Sequence, residues 1–379
     1  MKTRLASLLV LGAAALATAA PPARAAEFMA NNFLDQNHPF SVHNYTEWAE
    51  NVKKATNGAV TFKVFLGGSL VPARSTIQGV RDGLAHVAYH AGTYTPSELP
   101  LNNVVADLAL VTSDIYVSMA ASTEQAFVNP KLQGEYRKVG LVYGGGYSTS
   151  PYLLLCNKKI ETLADVKGKR MRMPGSLWDR WAVALGAISV NVPSSEIYTG
   201  IERGTLDCGA NPLESLQSRS YWDVAKFVPD LPLGVYYSGP MWAYNPQFWK
   251  SLTPEQRRTI FDITARAMVR SSIAYINNTR ATEKAMVAKN VQLVKPAADL
   301  KAASDAFIQK DSAELAKVAQ EKLKVAPADA EELIAEYKSL VAKWEKLFAG
   351  VDPLDEEKLT QIIKAGIFDK LDTKTYGAN

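Results

Sequence analysis

The stretch VKGKRMRMPG, residues 166–175, gathers Lys167, Lys169, Arg170 and Arg172 and then breaks at Pro174-Gly175. Read as a strand, Lys169–Met173 alternates, so Arg170 and Arg172 share one face while Met171 and Met173 take the other. Arg172 then stands at the carboxyl end of its strand, where α/β sheets bind ligands. The helical pattern of GSLWDRWAVALGA (175–187) starts directly afterwards, with Ser176 and Asp179 spaced as a capping box. A helix N-terminus at that place adds free N–H groups and partial positive charge. A guanidinium beside it suits two-point capture of a carboxylate. The same residues also fit a salt-bridged arginine on an exposed basic edge, and both readings stay open on these facts.

Few other residues are arranged for chemistry. The chain has no G-x-x-x-x-G-K-[ST], no H-E-x-x-H and no C-x-x-C. Gly144-Gly145-Gly146 lacks the third-glycine spacing of a dinucleotide loop, and Gly67-Gly68-Ser69-Leu70-Val71 ends in Val where a nucleophile elbow ends in Gly. The four histidines are His38, His43, His86 and His90. His86 and His90 would share a strand face, but no cluster of further ligands accompanies them. No catalytic residue, metal or cofactor is therefore assigned.

These residues must be positioned by a chain of 379 residues that opens on a leader-like segment. Residues 1–25 carry Lys2 and Arg4, an apolar run from about Leu5 to Ala20, and the small-x-small triplet Ala23-Arg24-Ala25. This is the pattern of a cleaved secretory signal peptide, with processing expected after Ala25. Removing it takes away Lys2, Arg4 and Arg24 and no acid, leaving 39 basic against 38 acidic residues. A surface so near neutrality gives no support for a nucleic-acid or anionic-membrane partner. About 354 residues would follow the leader, more than one core usually holds, which favours two domains. Cys156 and Cys208 fit one disulfide in an oxidising compartment and fit two small buried side chains equally well.

Strand-like and helical patterns alternate along the first two thirds. Strands are expected at 27–33, 59–68 and 84–92, with a helix over 37–58 capped by Ser41 and stopped at Gly58, and another over 75–83. The pattern restarts with two strand-like runs in 138–158, a strand at 169–173, helices at 175–187 and 194–204, a strand at 205–209 and an extended run over 231–245. Such alternation argues for α/β units on largely parallel sheets. Helices then dominate, over 254–290, 298–322, 328–348 and 355–366. The expected layout is a two-lobed α/β fold: lobe I over 26–148, completed by about 240–285, lobe II over 149–239, and a helical wrap over 286–379.

The segment LADVKGKRMRMPGSLWDRWAVALGAISVNVPSSEIYTGIERGTLDCGANP (163–212) resembles the solute-binding proteins of TRAP (tripartite ATP-independent periplasmic) transporters. Its K-G-x-[KR]-[ILM]-R-x-P block, Gly-Ala, Ser-Glu-Ile-Tyr helix and Asp-containing turn come in the family's order. WAENVKKATNGAVTFKVFLGGSL (48–70), IQGVRDGLAHVAYHAGTY (77–94) and NPQFWKSLTPEQRRTI (245–260) agree with it, so the resemblance covers most of the chain. It implies a periplasmic receptor, without enzymatic activity, whose lobes close over a small organic acid and deliver it to a membrane permease; a monomer is expected. It further implies that Arg172 pairs with the ligand carboxylate and that Asn211 adds a polar contact. Pro174 and Ser176 would line the same edge, and Tyr89, His90 and Tyr94 would face the ligand from the other lobe.

Two departures shape the expected ligand. Where some members place a second arginine, this chain reads SPYLLLCNK (150–158), with Tyr152 near that position. Cys208 follows Asp207 where the family usually has Gly, which bears on the backbone leading to Asn211. Tyr152, Trp178, Tyr236 and Tyr237 complete an aromatic candidate lining, which favours flat or apolar bodies. The expected ligand is a monocarboxylate with an aromatic or apolar body. Hinge segments are expected near 147–152 and 237–243. A receptor for an ABC importer or a sensor, and a periplasmic α/β enzyme, are the rival readings.

Overall fold

The computed structural model describes residues 27–378, so the leader expected at 1–25 lies outside the described residues. Two sheets organise the chain. The first takes β1 (Glu27–Asn31), β2 (Thr61–Phe65), β3 (Val87–Ala88) and β4 (Val142–Tyr143), plus one strand from later in the chain. The second is built from β5 (Tyr152–Cys156), β6 (Arg170–Arg172), β7 (Ile188–Val190), β8 (Cys208–Pro212) and β9 (Phe227–Pro229). The chain then returns to the first sheet with β10 (Ala243–Tyr244) and to the second with β11 (Gln292–Val294). The spatial orders are β2-β1-β3-β10-β4 and β11-β9-β5-β8-β6-β7.

Both sheets are mixed rather than largely parallel. The β1–β2, β1–β3, β6–β7, β6–β8 and β9–β11 pairs are parallel, each joined by a crossover that includes helix. β10 and β5 run antiparallel to their neighbours because each enters its sheet from the opposite lobe. Two crossing segments lie side by side: Gly144 N–H donates to Trp242 O, Thr149 N–H to Tyr236 O and Tyr152 N–H to Gly234 O. The glycine triplet belongs here. A Cβ on Gly144 would stand 2.1 Å from the Tyr244 ring and one on Gly146 2.6 Å from Tyr143 Oη, so the crossing can pack this closely only without side chains.

Several local expectations change. The helix expected over 37–58 is present as one continuous helical run over 39–55, but it contains a π segment and a different cap. His38 caps a short turn that starts at Pro39, its Nδ1 accepting from Phe40 N–H, and a π turn over Val42–Thr46 leads into α1 (Glu47–Ala55). Ser41 is no cap; its hydroxyl donates to Leu34 O. Most of 231–242 is irregular backbone, leaving only Ala243–Tyr244 as strand. Helices α2 (Pro100–Ala106) and α3 (Ile115–Val128) belong to lobe I, and α4 (Ser176–Ala184) follows the arginine strand. The 32-residue α5 (Pro254–Ala285) starts at a Thr253/Gln256 capping box with Pro254 in its first turn. α6 (Ala298–Val318), α7 (Pro327–Phe348) and α8 (Glu356–Gly366) complete the wrap. Because α7 covers α3, that helix is buried on nearly every side and its Glu124 is met by Lys343 and the Trp344 indole N–H.

Cys156 and Cys208 form a disulfide across β5 and β8, closing a loop of 52 residues. Loop-closure entropy gives such a link about 4 kcal/mol, and typical measured values are about 2–4 kcal/mol. We expect the Cys156→Ser/Cys208→Ser protein to melt several degrees lower by calorimetry, and reducing agent to lower the wild type to the same point. An unchanged melting temperature would contradict the bond.

The histidines make a second stability argument. Burial, followed by the charge of Arg219, holds His38 well below the ordinary range; burial lowers His86 and takes His90 to about 3. A folded-state pKa below the unfolded value of about 6.5 means the unfolded chain binds more protons, so stability is full above that pH and falls beneath it. Urea unfolding should show stability dropping between pH 7 and pH 5, each histidine adding at most about 1.4 kcal/mol per pH unit. His90→Gln should flatten that slope by about one proton; an unchanged slope would exclude a neutral His90 in the fold.

Candidate functional site

β6 is three residues long and places its arginines on opposite sides of the burial boundary. Met171 points into the core, Arg170 is half-buried and ion-paired with Asp207, and Arg172 is 0% exposed. The exposed-edge reading therefore fits Arg170 and fails for Arg172. The Arg172 guanidinium is fixed by backbone carbonyls of its own lobe, Nε donating to Val192 O at 2.9 Å and Nη1 to Ala210 O at 2.8 Å. Its outer edge meets Asn211 Oδ1 at 3.5 Å from Nη1 and Tyr94 Oη at 2.9 Å from Nη2. None of the described ion pairs gives Arg172 a carboxylate. Asn211 lies in β8 opposite Leu153, so the cysteine after Asp207 does not carry it away from the arginine.

Tyr94 is the lobe I member of this contact. Its hydroxyl also accepts from Ser194 N–H at 3.1 Å, so two donors of lobe II converge on it. Thr93 repeats the bridge through its hydroxyl, 2.6 Å from Tyr236 Oη, and through its carbonyl, which accepts from Asn191. Gly175, at φ 144°, permits this closeness: a Cβ there would lie 3.0 Å from Thr93 Cγ2.

The aromatic lining falls into two groups. Tyr152 stacks on Tyr236 with centroids 5.1 Å apart, and on Trp178 at 5.8 Å, whose indole N–H donates to Leu233 O. From lobe I, Tyr89 stacks on Phe33 at 4.8 Å and shares a 2.6 Å hydroxyl contact with Tyr147, which in turn meets Ser238 Oγ at 2.7 Å. Burial holds the Tyr89, Tyr147 and Tyr152 hydroxyls well above the ordinary range, so they stay protonated. Tyr237 keeps a tilted ring contact with Tyr147 at 6.0 Å, but its hydroxyl donates to Asn102 Oδ1 inside lobe I. His90 is buried, with Nε2 at 3.4 Å from Thr95 Oγ1 and Nδ1 without a partner.

At the start of α4 the Leu177 N–H is taken by a protein carboxylate. The helix cap is Gly175 with no side-chain bond, so the Ser176/Asp179 capping box is absent. Asp107, just after α2, accepts from Leu177 N–H at 2.9 Å and takes Arg180 Nη1 at 2.8 Å. Arg180 reaches Asp311 of α6 as well, at 2.7 and 2.8 Å, and its Nη1 also meets Ser176 Oγ. Burial pushes Asp107 upward while Arg180 pulls it down; we take the pair as ionised because four donors converge on the Asp107 and Asp311 carboxylates at hydrogen-bond distance. Pro174 is buried at this edge, and Ser176 is engaged with Arg180. An open depression of about 390 Å³ lined by Val192, Glu196 and Arg203 includes none of the tyrosines or Arg172.

Arg219 was not foreseen. It follows the single turn Ser215–Ser218, is 8% exposed, and donates through Nη1 to Tyr221 Oη at 2.9 Å. Tyr147, Phe33 and Tyr275 are likewise site aromatics without a sequence signal of their own. Only the pairing of Glu214 with Arg219 five residues on hinted at a buried charge, and that spacing is commonplace on exposed turns.

The profile of bacterial extracellular solute-binding protein family 7 (DctP) matches residues 31–322. A solute-binding protein of Albidiferax ferrireducens is 25% identical over 190 residues, covering 50% of this chain and 55% of its own length, so the match spans about half of that relative. Among solved structures, a TRAP periplasmic solute-binding protein from Bordetella bronchiseptica with bound (R)- and (S)-mandelate aligns with a TM-score of 0.72 at 20% identity, covering 84% of this chain and 99% of the other. A TRAP solute-binding protein from Rhodoferax ferrireducens in complex with copurified benzoate gives 0.73 at 19% identity, covering 85% and 99%. These last two likenesses speak for the two-lobed fold. With a profile matched over most of its length, the chain belongs to bacterial extracellular solute-binding protein family 7.

Proposed function

We propose that this chain is the periplasmic receptor of a TRAP transporter, freed from its leader after Ala25, and that it captures a small monocarboxylate with an aromatic or apolar body for a membrane permease. The observation that carries this reading is Arg172, a wholly buried cation hydrogen-bonded only to neutral acceptors. Removing a guanidinium from water costs several kcal/mol unless a counter-charge offsets it. A ligand carboxylate at the Nη1/Nη2 edge supplies that charge, replacing the long Asn211 contact and competing with the Tyr94 hydroxyl. Tyr152, Tyr236 and Trp178 then give a flat body a stacked surface. The mandelate and benzoate held by two structural neighbours are acids of this kind.

The mechanism is binding and closure, with no bond made or broken. In the open form Arg172 and Tyr94 face water from separate lobes. Ligand completes its contacts only when they meet, so it shifts the lobe equilibrium by its differential affinity and no further. The crossing segments near 147–152 and 237–243 take up the change in backbone angles.

A thermal-shift panel of aromatic, aliphatic, hydroxy- and dicarboxylates tests the reading. Ligand at a thousand times its dissociation constant stabilises by about 4 kcal/mol, a shift of several degrees. Monocarboxylates should shift the wild type and leave Arg172→Ala unmoved; affinity retained within tenfold in that variant, or binding of dicarboxylates alone, would refute it. Tyr94→Phe removes the one lobe I acceptor that serves two lobe II donors. It should keep the fold, enlarge the ligand-free particle in small-angle scattering, and weaken binding by roughly ten- to a hundredfold, the worth of a hydrogen bond to a charged group. Unchanged affinity would remove Tyr94 from the closure contact.

A further inference from the structure

Arg219 is the second buried cation of the lobe interface. Its side chain is 2% exposed, yet Nε and Nη2, which form the forked edge of a guanidinium, have no hydrogen-bond acceptor. Buried donors are costly to leave unpaired, so this fork is suited to an acceptor oxygen. Only Nη1 is served, by Tyr221 Oη at 2.9 Å.

The position of this fork ties it to the Arg172 site. The Tyr221 hydroxyl donates to Ser194 O at 2.6 Å, and the same Ser194 donates its N–H to the Tyr94 hydroxyl that accepts from Arg172. The Tyr152 phenol, on the aromatic wall, feels the charge of both arginines, and His38 of lobe I feels that of Arg219. The two guanidinium groups are thus joined by one hydrogen-bond chain, Arg219–Tyr221–Ser194–Tyr94–Arg172.

Charge decides what the second guanidinium can take. Asp35 Oδ2 lies 3.5 Å from Arg219 Nη2, outside hydrogen-bond geometry but near enough to neutralise, and its side chain is 54% exposed. Glu214, buried on the other side, accepts from Ser215 Oγ at 2.9 Å and acts electrostatically on Arg219. A second carboxylate would meet these two acids; a neutral oxygen would not. Building on the monocarboxylate reading above, we propose that Arg219 is a specificity-determining contact that receives a hydroxyl or keto oxygen on the ligand, so that the preferred class is a monocarboxylate bearing a second, uncharged oxygen away from its acid group.

The test is calorimetric titration with matched acids: benzoate against 3- and 4-hydroxybenzoate, phenylacetate against 3-hydroxyphenylacetate, and hexanoate against 5-oxohexanoate and 6-hydroxyhexanoate. In the wild type at least one oxygenated acid should bind about thirtyfold more tightly than its parent, because the parent leaves the fork unpaired. Arg219→Lys keeps the charge, loses the fork, and should bring that preference below about threefold, the oxygenated acid losing far more affinity than its parent. Arg219→Gln should do the same, with circular dichroism and the melting point reporting on its fold. Equal affinity within every pair in the wild type overturns the assignment and leaves the Arg172 reading standing. Tighter binding of terephthalate or adipate than of any hydroxy or keto acid overturns the neutral-oxygen argument. If Arg219→Lys and Asp35→Asn weaken parent and oxygenated acids alike, Arg219 is a lobe-to-lobe ion pair and the proposal fails. No binding by any of these acids at 10 mM overturns it together with the monocarboxylate reading.

Discussion

A positive charge enclosed by protein sets the terms for the rest of this molecule. Arg172 is held by the carbonyls of Val192 and Ala210, which come from the loops after β7 and within β8, so its head is fixed by backbone rather than by flexible acids. Neutral acceptors lower the cost of burying the guanidinium without cancelling its charge. On the monocarboxylate proposal, that leaves an attractive site whose strength rises as water is excluded, so that lobe closure and anion capture would reinforce one another. Had a local aspartate taken the place of Asn211, the site would be neutral and closed to anions.

Lobe contact is carried by few polar groups, each used more than once. Tyr94 accepts from Arg172 and Ser194, Thr93 engages Tyr236 and Asn191, and Asp107 caps α4 while pairing with Arg180. The last of these extends to Asp311, so α6 of the C-terminal wrap is bonded to the helix that follows the arginine strand. The start of α4, which looks from the sequence like a ready anion site, gives its Leu177 N–H to this lobe contact instead.

Legibility in the sequence followed the kind of signal each feature leaves. The alternation of Lys169–Met173 is a two-residue period, and it separated Arg170 from Met171 correctly; only burial, which needs the other lobe, distinguishes Arg170 from Arg172. The two-lobed α/β arrangement and the helical end were readable from alternating periods. The capping roles of Ser41 and Ser176 were misread because a neighbouring residue took the cap: His38 ahead of Pro39 in one case, Gly175 with trans capping by Asp107 in the other. The 231–242 run is apolar because it is buried while crossing between lobes, not because it is a strand, and composition cannot separate those causes. Tyr237 was grouped with Tyr236, yet the two point to different partners, as adjacent residues on extended backbone do. Arg219 was invisible because a charged residue on a one-turn helix has the appearance of surface, and β11 because three residues carry too little pattern.

The aromatic wall has a further consequence for the energetics of capture. Tyr89 is bound to Tyr147, Tyr147 to Ser238 and Trp178 to Leu233 O, none of them the Thr93–Tyr236 bridge between lobes. Each of these side chains has two rotatable bonds already fixed, so little rotamer entropy is left to lose when a solute arrives. The ordering that remains is concentrated in the backbone of the two crossing segments. Substitutions there, far from any ligand atom, would set how tightly this receptor holds its cargo, whereas the wall would set only which cargo fits.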